Sequence, residues 1–338
     1  MNRSVLVSAV ALAAISGAAA SAQTLEEVQE RGVLNCGVNT GLVGFAAPDA
    51  NGEWQGFDVA VCQAVAAAVL GDPNAVEYVS LTGKTRFTAL ASGEIDMLSR
   101  NTTWTFTRDV DLKFEFVGIN YYDGQGFMVP RELGVSSARE LDGATVCIQT
   151  GTTTELNLAD FFRANNMNYE PVPIETNAEA QQQYLAGACD VYTTDSSGLA
   201  ATRATFESPG DHVILPEIVS KEPLGPLVRH GDNEWGDIVR WTLNALIAAE
   251  EYGITSANLE ELAEGTNNPE INRMLGTEGN FGEILGLESD WAVKAISVNG
   301  NYGEIFETFI GENTPIGLAR GLNAQWTDGG LLYAPPFR

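Results

Sequence analysis

The segment Ser99-Arg100-Asn101-Thr102-Thr103-Trp104-Thr105-Phe106-Thr107-Arg108 places hydroxyls, an amide and guanidinium groups in one short stretch. An arginine offers two parallel N–H donors that match a carboxylate, and threonine hydroxyls beside free backbone N–H groups complete an anion site. Such a segment could hold the α-carboxylate of a free amino acid; the ordinary alternative is a surface arginine beside a threonine-rich turn. A second stretch, Gln149-Thr150-Gly151-Thr152-Thr153-Thr154-Glu155, sets Thr152 and Glu155 at capping-box spacing. The N–H groups at a helix start also attract anions. It lacks the lysine and the glycine spacing of a phosphate loop, so a helix cap and an anion contact both stay open. Asp195, at the end of an expected strand, is the candidate counter-charge for an α-ammonium group. With a cation on one lobe and an anion on the other, a zwitterion would bridge the two and favour their closure.

Enzyme chemistry has less to stand on. The only histidines, His212 and His230, lie in turn-like or strand-end contexts with no serine or cysteine nucleophile motif and no metal-ligand spacing. No catalytic residue, metal or cofactor is expected. Asn101-Thr102-Thr103 matches a glycosylation sequon, a pattern that matters only in a eukaryotic secretory route.

The elements that must position these groups follow from hydrophobic periodicity. Residues 25–31 read as a helix, 33–38 as a strand, 58–70 as a helix, 76–81 as a strand, 85–91 as a helix and 95–98 as a strand. The pattern restarts with strand 145–149, helix 155–164, strand 169–174, helix 178–185 and strand 190–193. This is α/β order, with a largely parallel sheet in each of two units. Extended stretches at 117–130 and 224–229 would carry the chain across to the second unit and back, making a hinge. Residues 90–96 and 185–190 echo one another: each ends a helix, turns at Gly93 or Gly187 and enters a strand through an aspartate. Ligands of open parallel sheets sit at the carboxyl ends of the strands, so both units would aim Asn101 and Asp195 into a shared cleft. An amphipathic helix over 233–252 should pack on the first lobe, and short helices are expected near 259–263, 270–275 and 302–310. The expected division is 23–122 with 226–254 in lobe 1, 123–225 in lobe 2, and a C-terminal extension over 255–338.

Arg3, an apolar run over 5–15 and the small residues Ala20-Ser21-Ala22 have the layout of a cleaved export signal over residues 1–22. The net charge of −27 repels phosphate backbones and anionic lipid, which argues against nucleic acid or a membrane surface as partner. Cys36, Cys62, Cys147 and Cys189 are an even set without a Cys-x-x-Cys, which in an exported chain points to disulfides. Of three pairings, Cys36 with Cys62 and Cys147 with Cys189 puts one bridge in each lobe.

Gly56-Phe57-Asp58, Ser92-Gly93-Glu94-Ile95-Asp96, Thr105 to Arg108, Gly151-Thr152-Thr153 and Asp190 to Asp195 fall in one family's order. Over residues 33–252 the chain resembles the polar and general amino-acid branch of the periplasmic solute-binding proteins of ATP-driven (ABC) importers. Ser99 to Thr105 and Tyr121 to Phe127 are most similar to the general L-amino-acid and glutamate/glutamine/aspartate/asparagine binding subunits. The resemblance implies the type II fold, two lobes joined by two crossover strands, and a monomer that binds a free L-amino acid and meets inner-membrane permease subunits. It implies that Arg108 grips the α-carboxylate, helped by Thr103 and the backbone of Thr153. Asp195, the Thr103 hydroxyl and the Asn101 carbonyl would hold the α-ammonium. Arg86 and Arg100 would favour acidic and amide side chains, while the neutral Asn39 argues for breadth. A dehydratase-like enzyme and a ligand sensor for a chemoreceptor share the same cleft and are the alternatives.

Overall fold

The computed structural model describes residues 24–338. The expected export signal lies outside the described residues. Helix α1 (Thr24–Arg31) leads into strand β1 (Leu34–Asn39), and a small hairpin of β2 (Ala47–Pro48) and β3 (Trp54–Gln55) precedes helix α2 (Phe57–Leu70). Strand β4 (Val76–Leu81), helix α3 (Arg86–Ser92) and strand β5 (Met97–Leu98) complete the first β-α-β-α-β run, with β4, β1 and β5 parallel. The carboxyl end of β1 thus delivers Asn39, and the turn after β5 delivers Arg100 to Thr103. A single π-helical turn (Thr107–Asp111) carries Arg108 where the sequence led us to expect an ordinary helix start.

After β6 (Phe114–Phe116) the chain crosses through β7 (Tyr121–Asp123) into β8 (Gln125–Pro130) of the second lobe. There β9 (Ala144–Gln149), α4 (Thr153–Ala164), β10 (Tyr169–Ile174), α5 (Asn177–Leu185), β11 (Val191–Asp195) and α6 (Ser196–Ala204) repeat the alternation. Strand β12 (His212–Ile214) closes that sheet in the order β10-β9-β11-β8-β12, with β8 antiparallel to β11. The chain returns through β13 (Glu222–Leu224) to β14 (Leu227–Arg229), which joins the first sheet in the order β4-β1-β5-β14-β6. Both sheets are therefore mixed, because each crossover feeds a strand in from the opposite direction.

Strands β7 and β13 pair antiparallel, with Glu222 opposite Asp123. The return begins two residues ahead of the expected 224–229 stretch. The two crossovers touch so closely that a Cβ on Gly225 would lie 1.9 Å from the Gly118 carbonyl oxygen, a contact only glycine permits.

Helix α7 (Asn233–Glu251) is amphipathic, with Trp235, Ile238, Val239, Leu243 and Leu246 buried. The extension forms α8 (Leu259–Ala263), α9 (Pro269–Met274), α10 (Phe281–Ile284), α11 (Trp291–Asn299) and α12 (Tyr302–Phe309); periodicity missed α10 and α11. Their cover was written in α2, which is apolar on all sides apart from Asp58 and Gln63 and so needs burial on two faces. The sheet takes one face and α11 the other, where Asn299 Nδ2 donates to Gln63 Oε1 at 2.8 Å. One hydrophobic cluster unites Phe57 of lobe 1, Tyr121 and Leu224 of the crossovers, Ala201 of lobe 2 and Phe306 and Ile316 of the extension.

Cys36 bonds Cys62, tying β1 to α2, and Cys147 bonds Cys189, tying β9 to the turn before β11. These are the sequence-near pairs.

Candidate ligand-binding site

Each lobe offers strand ends and helix starts to the space between them. Asn101 has φ of +29°, a left-handed backbone that asparagine tolerates better than most residues. Its N–H donates to Asp58 Oδ2 at 2.9 Å, which anchors the turn to the start of α2. That conformation points the Asn101 side chain at both lobes. Its Oδ1 accepts from Asn39 Nδ2 at 2.9 Å and its Nδ2 donates to Asp195 Oδ2 at 3.3 Å. Asn39 in turn accepts from Asn177 Nδ2 of the second lobe at 3.2 Å. Thr103 is placed by its backbone bridge to Leu224 of the return crossover, and its hydroxyl lies 3.3 Å from that of Thr153 at the start of α4. The Thr152 cap accepts from Glu155 N, as the spacing implied, and Glu155 Oε2 accepts from Gly151 N at 3.0 Å.

Arg86, Arg100 and Arg108 are all buried and form one cationic group. Arg108 Nη1 donates to Thr103 O at 2.8 Å, Arg86 Nη1 to Thr102 Oγ1 at 3.1 Å and Arg100 Nε to Leu81 O at 2.9 Å. The Arg86 and Arg108 guanidiniums both lie over the Phe87 ring, 4.8 and 5.0 Å from its centroid, attracted by the ring's negative face. Arg86 Nε and Arg100 Nη2 are buried without a hydrogen-bond partner among the described residues. A buried donor left unpaired is costly, more so when charged, so each of these N–H groups favours an acceptor. Burial pulls Arg100 and Arg108 down to about 10, against the pull of Asp58 on Arg100 and of Glu222 and Asp195 on Arg108. Burial and its two cationic neighbours also lower Arg86.

Buried carboxylates lie close to these guanidiniums, Asp58 to Arg100 and Glu222 and Asp195 to Arg108. Asp195 ends β11, and burial together with the nearby Asp123 and Glu222 raises it well above the usual carboxylate range. Asp123 is pushed up to about 6, mainly by burial. Asp58 is pushed up to about 7 by burial, opposed by its hydrogen bond from Asn101 N and by Arg100. The region between the lobes therefore holds both signs of charge close together, three guanidiniums and the carboxylates of Asp58, Asp123, Asp195 and Glu222. A small zwitterion can pair with both signs at once.

The eight sequence-derived positions, Asn39, Arg86, Arg100, Asn101, Thr103, Arg108, Thr153 and Asp195, all fall in this one region. The family follows from sequence: the model for bacterial extracellular solute-binding proteins, family 3, matches residues 34–257. The chain belongs to that family.

This solute-binding protein is 69% identical over 338 residues to the glutamate/glutamine/aspartate/asparagine-binding protein of Rhodobacter capsulatus, covering all of both chains. It is 58% identical over 330 residues to the general L-amino acid-binding periplasmic protein of Rhizobium johnstonii, covering 97% of this chain and 96% of the relative. Among solved structures, an ABC transporter periplasmic binding protein from Brucella ovis with glutathione bound superposes with a TM-score of 0.90 at 57% identity. That match covers 93% of this chain and 99% of the neighbour, so the likeness runs through the extension as well as the lobes.

Two residues of this solute-binding protein's cleft escaped the sequence reading. Glu222 accepts four hydrogen bonds from both lobes and the crossover, and Asp123 accepts from Ser197 and Gly124. Glu222 sits in no motif, and Asp123, though inside the Tyr121 to Phe127 stretch, carries no local mark of a site residue; the pairing of β7 with β13 brings the two together.

The raised carboxylates set the pH response of the ligand-free protein. A carboxyl raised on folding binds its proton more tightly folded than unfolded, so its contribution is fully present below the unfolded value and is lost as pH rises through the folded one. Asp58 at about 7, Asp123 at about 6, and the raised Asp96 and Asp195 all act this way, against the lowered His212, which acts oppositely. The melting temperature should therefore rise on moving from about pH 8 to about pH 5, as read by calorimetry. A flat or falling profile over that range would contradict the assigned burial.

Proposed function

We propose that this protein captures free L-amino acids outside the cytoplasmic membrane, in the periplasm, and delivers them to an ABC importer without altering them. The observation that carries this reading is the group of three buried guanidiniums and buried carboxylates between the lobes, with two guanidinium N–H groups lacking partners among the described residues. Arg108 takes the α-carboxylate as a fork and Asp195 takes the α-ammonium, with Asn101 beside it. Arg86 and Arg100 face the ligand's side chain and favour the oxygen acceptors of glutamate, glutamine, aspartate and asparagine. Neutral Asn39, held between Asn101 and Asn177, adds no charge that would restrict the choice to one ligand. Two disulfides and the export-signal layout agree with an oxidising compartment. The same amino-acid head group occurs at the γ-glutamyl end of glutathione, which the Brucella ovis neighbour holds.

A thermal-shift screen across the proteinogenic amino acids and glutathione tests this, because a ligand that binds only the folded state raises stability by mass action, about 2.7 kcal/mol at a hundred times its Kd. Glutamate, glutamine, aspartate and asparagine should give the largest shifts. A screen in which no amino acid shifts the melt would remove the proposal.

A further inference from the structure

Glu222 is 1% exposed and opens β13 on the return crossover. Its Oε2 accepts from the Thr103 hydroxyl of the first lobe and from the Thr153 hydroxyl of the second at 2.8 Å. Its Oε1 accepts from Ser220 Oγ at 2.6 Å and from Asn157 Nδ2 at 2.7 Å. A hydroxyl carries one proton, and in both of these bonds the hydroxyl donates and the Glu222 oxygen accepts. Both threonines therefore spend their protons on Glu222. What Thr103 and Thr153 then present to the cleft is lone pairs, and their mutual 3.3 Å approach is two acceptors gathered by one carboxylate.

That polarity separates the two ends of a zwitterion. An oxygen with its proton committed elsewhere attracts an ammonium and repels a carboxylate. We propose that Glu222 is a positioning residue that fixes the Thr103 and Thr153 hydroxyls as acceptors for the ligand's α-ammonium, leaving its α-carboxylate to Arg108. The proposal rests on the amino-acid reading above. It adds a residue that acts through others, and it confines the Thr103 hydroxyl to the ammonium half. The register of β7 and β13 sets Glu222 opposite Asp123, and both carboxylates bear on Asp195, so this half of the cleft is built for a cation. Because the hydroxyls come from different lobes, their correct orientation also depends on closure.

The test compares L-glutamate with 2-oxoglutarate, which keeps both carboxylates and replaces the ammonium with a carbonyl. Calorimetry on full-length wild type and Glu222→Gln gives the preference of each for the amino acid. The amide removes the charge and sets an N–H₂ donor where an acceptor stood, so the preference should fall by about tenfold or more, chiefly through weaker glutamate binding. Glu222→Asp, which keeps a charged acceptor, should retain more of the preference than Glu222→Gln. Thr103→Val, which removes one hydroxyl and no charge, should lower the preference in the same direction and serves if Glu222→Gln does not fold. An unchanged preference, or equal weakening of both ligands, would overturn the role of Glu222 and mark it as a structural tie between lobes. A wild type that binds neither amino acids nor 2-oxoglutarate would overturn the amino-acid reading itself, a result distinct from the first.

Discussion

Arg108→Ala should weaken every amino-acid ligand together, by about 3–5 kcal/mol, roughly a hundredfold to a few thousandfold, because a carboxylate enclosed in the closed cleft loses its charged partner. The uniformity is the diagnostic part. The α-carboxylate is common to all amino acids, whereas Arg86 and Arg100 meet the part that varies, so their substitution should reorder ligands. Arg108 also holds Thr103 O at 2.8 Å, so a modest loss of stability, about 1 kcal/mol, accompanies the change. Arg108→Lys keeps the charge without the planar fork and should fall between alanine and wild type. Calorimetry across several amino acids checks this. Binding retained within about threefold in the alanine variant would show that the carboxylate is held elsewhere.

Asp195→Asn should move affinity and stability in opposite directions. Burial first, and then the like charges of Asp123 and Glu222, raise this carboxyl, so in the ligand-free protein its ionised form is a liability. Asparagine keeps the shape and removes that charge. The ligand-free variant should melt about 2–4 °C higher than wild type near pH 8, and the gain should fade toward about pH 4, where Asp195 itself is neutral. Amino-acid affinity should fall by about thirtyfold or more, since the α-ammonium loses its charged acceptor. Melting curves with and without ligand at both pH values read the two effects. A variant that loses stability at pH 8 would contradict the burial and crowding of Asp195.

The two β-α-β runs were legible because their strands are short apolar segments alternating with helices, and because Gly93 and Gly187 punctuate matching turns. Strand ends then carried Asn101 and Asp195 toward one cleft without any knowledge of contacts. Pairing Arg108 with Asp195 as one clamp needed the family likeness, since no local pattern connects positions in separate lobes. Glu222 was invisible for a stronger reason. Its neighbours in sequence, Ser220-Lys221-Glu222-Pro223, form no motif, and its function is set by a strand pairing with Asp123 across the hinge. The π-turn at Arg108 looks in sequence like a simple helix start, because a one-turn helix has no periodicity to detect. The extension had a signal that went unused: α2 is too apolar to border solvent, which already required a covering layer such as α11.

The central claim is that one cleft holds the ammonium and the carboxylate of the same amino acid. Titration calorimetry with L-glutamate, glutarate and 4-aminobutyrate addresses it most directly, because the second lacks the α-ammonium and the third lacks the α-carboxylate. Glutamate should bind one-to-one, and each analogue should bind about a hundredfold more weakly, or not measurably, since each leaves buried charge unpaired. Either analogue binding within about threefold of glutamate would contradict the clamp.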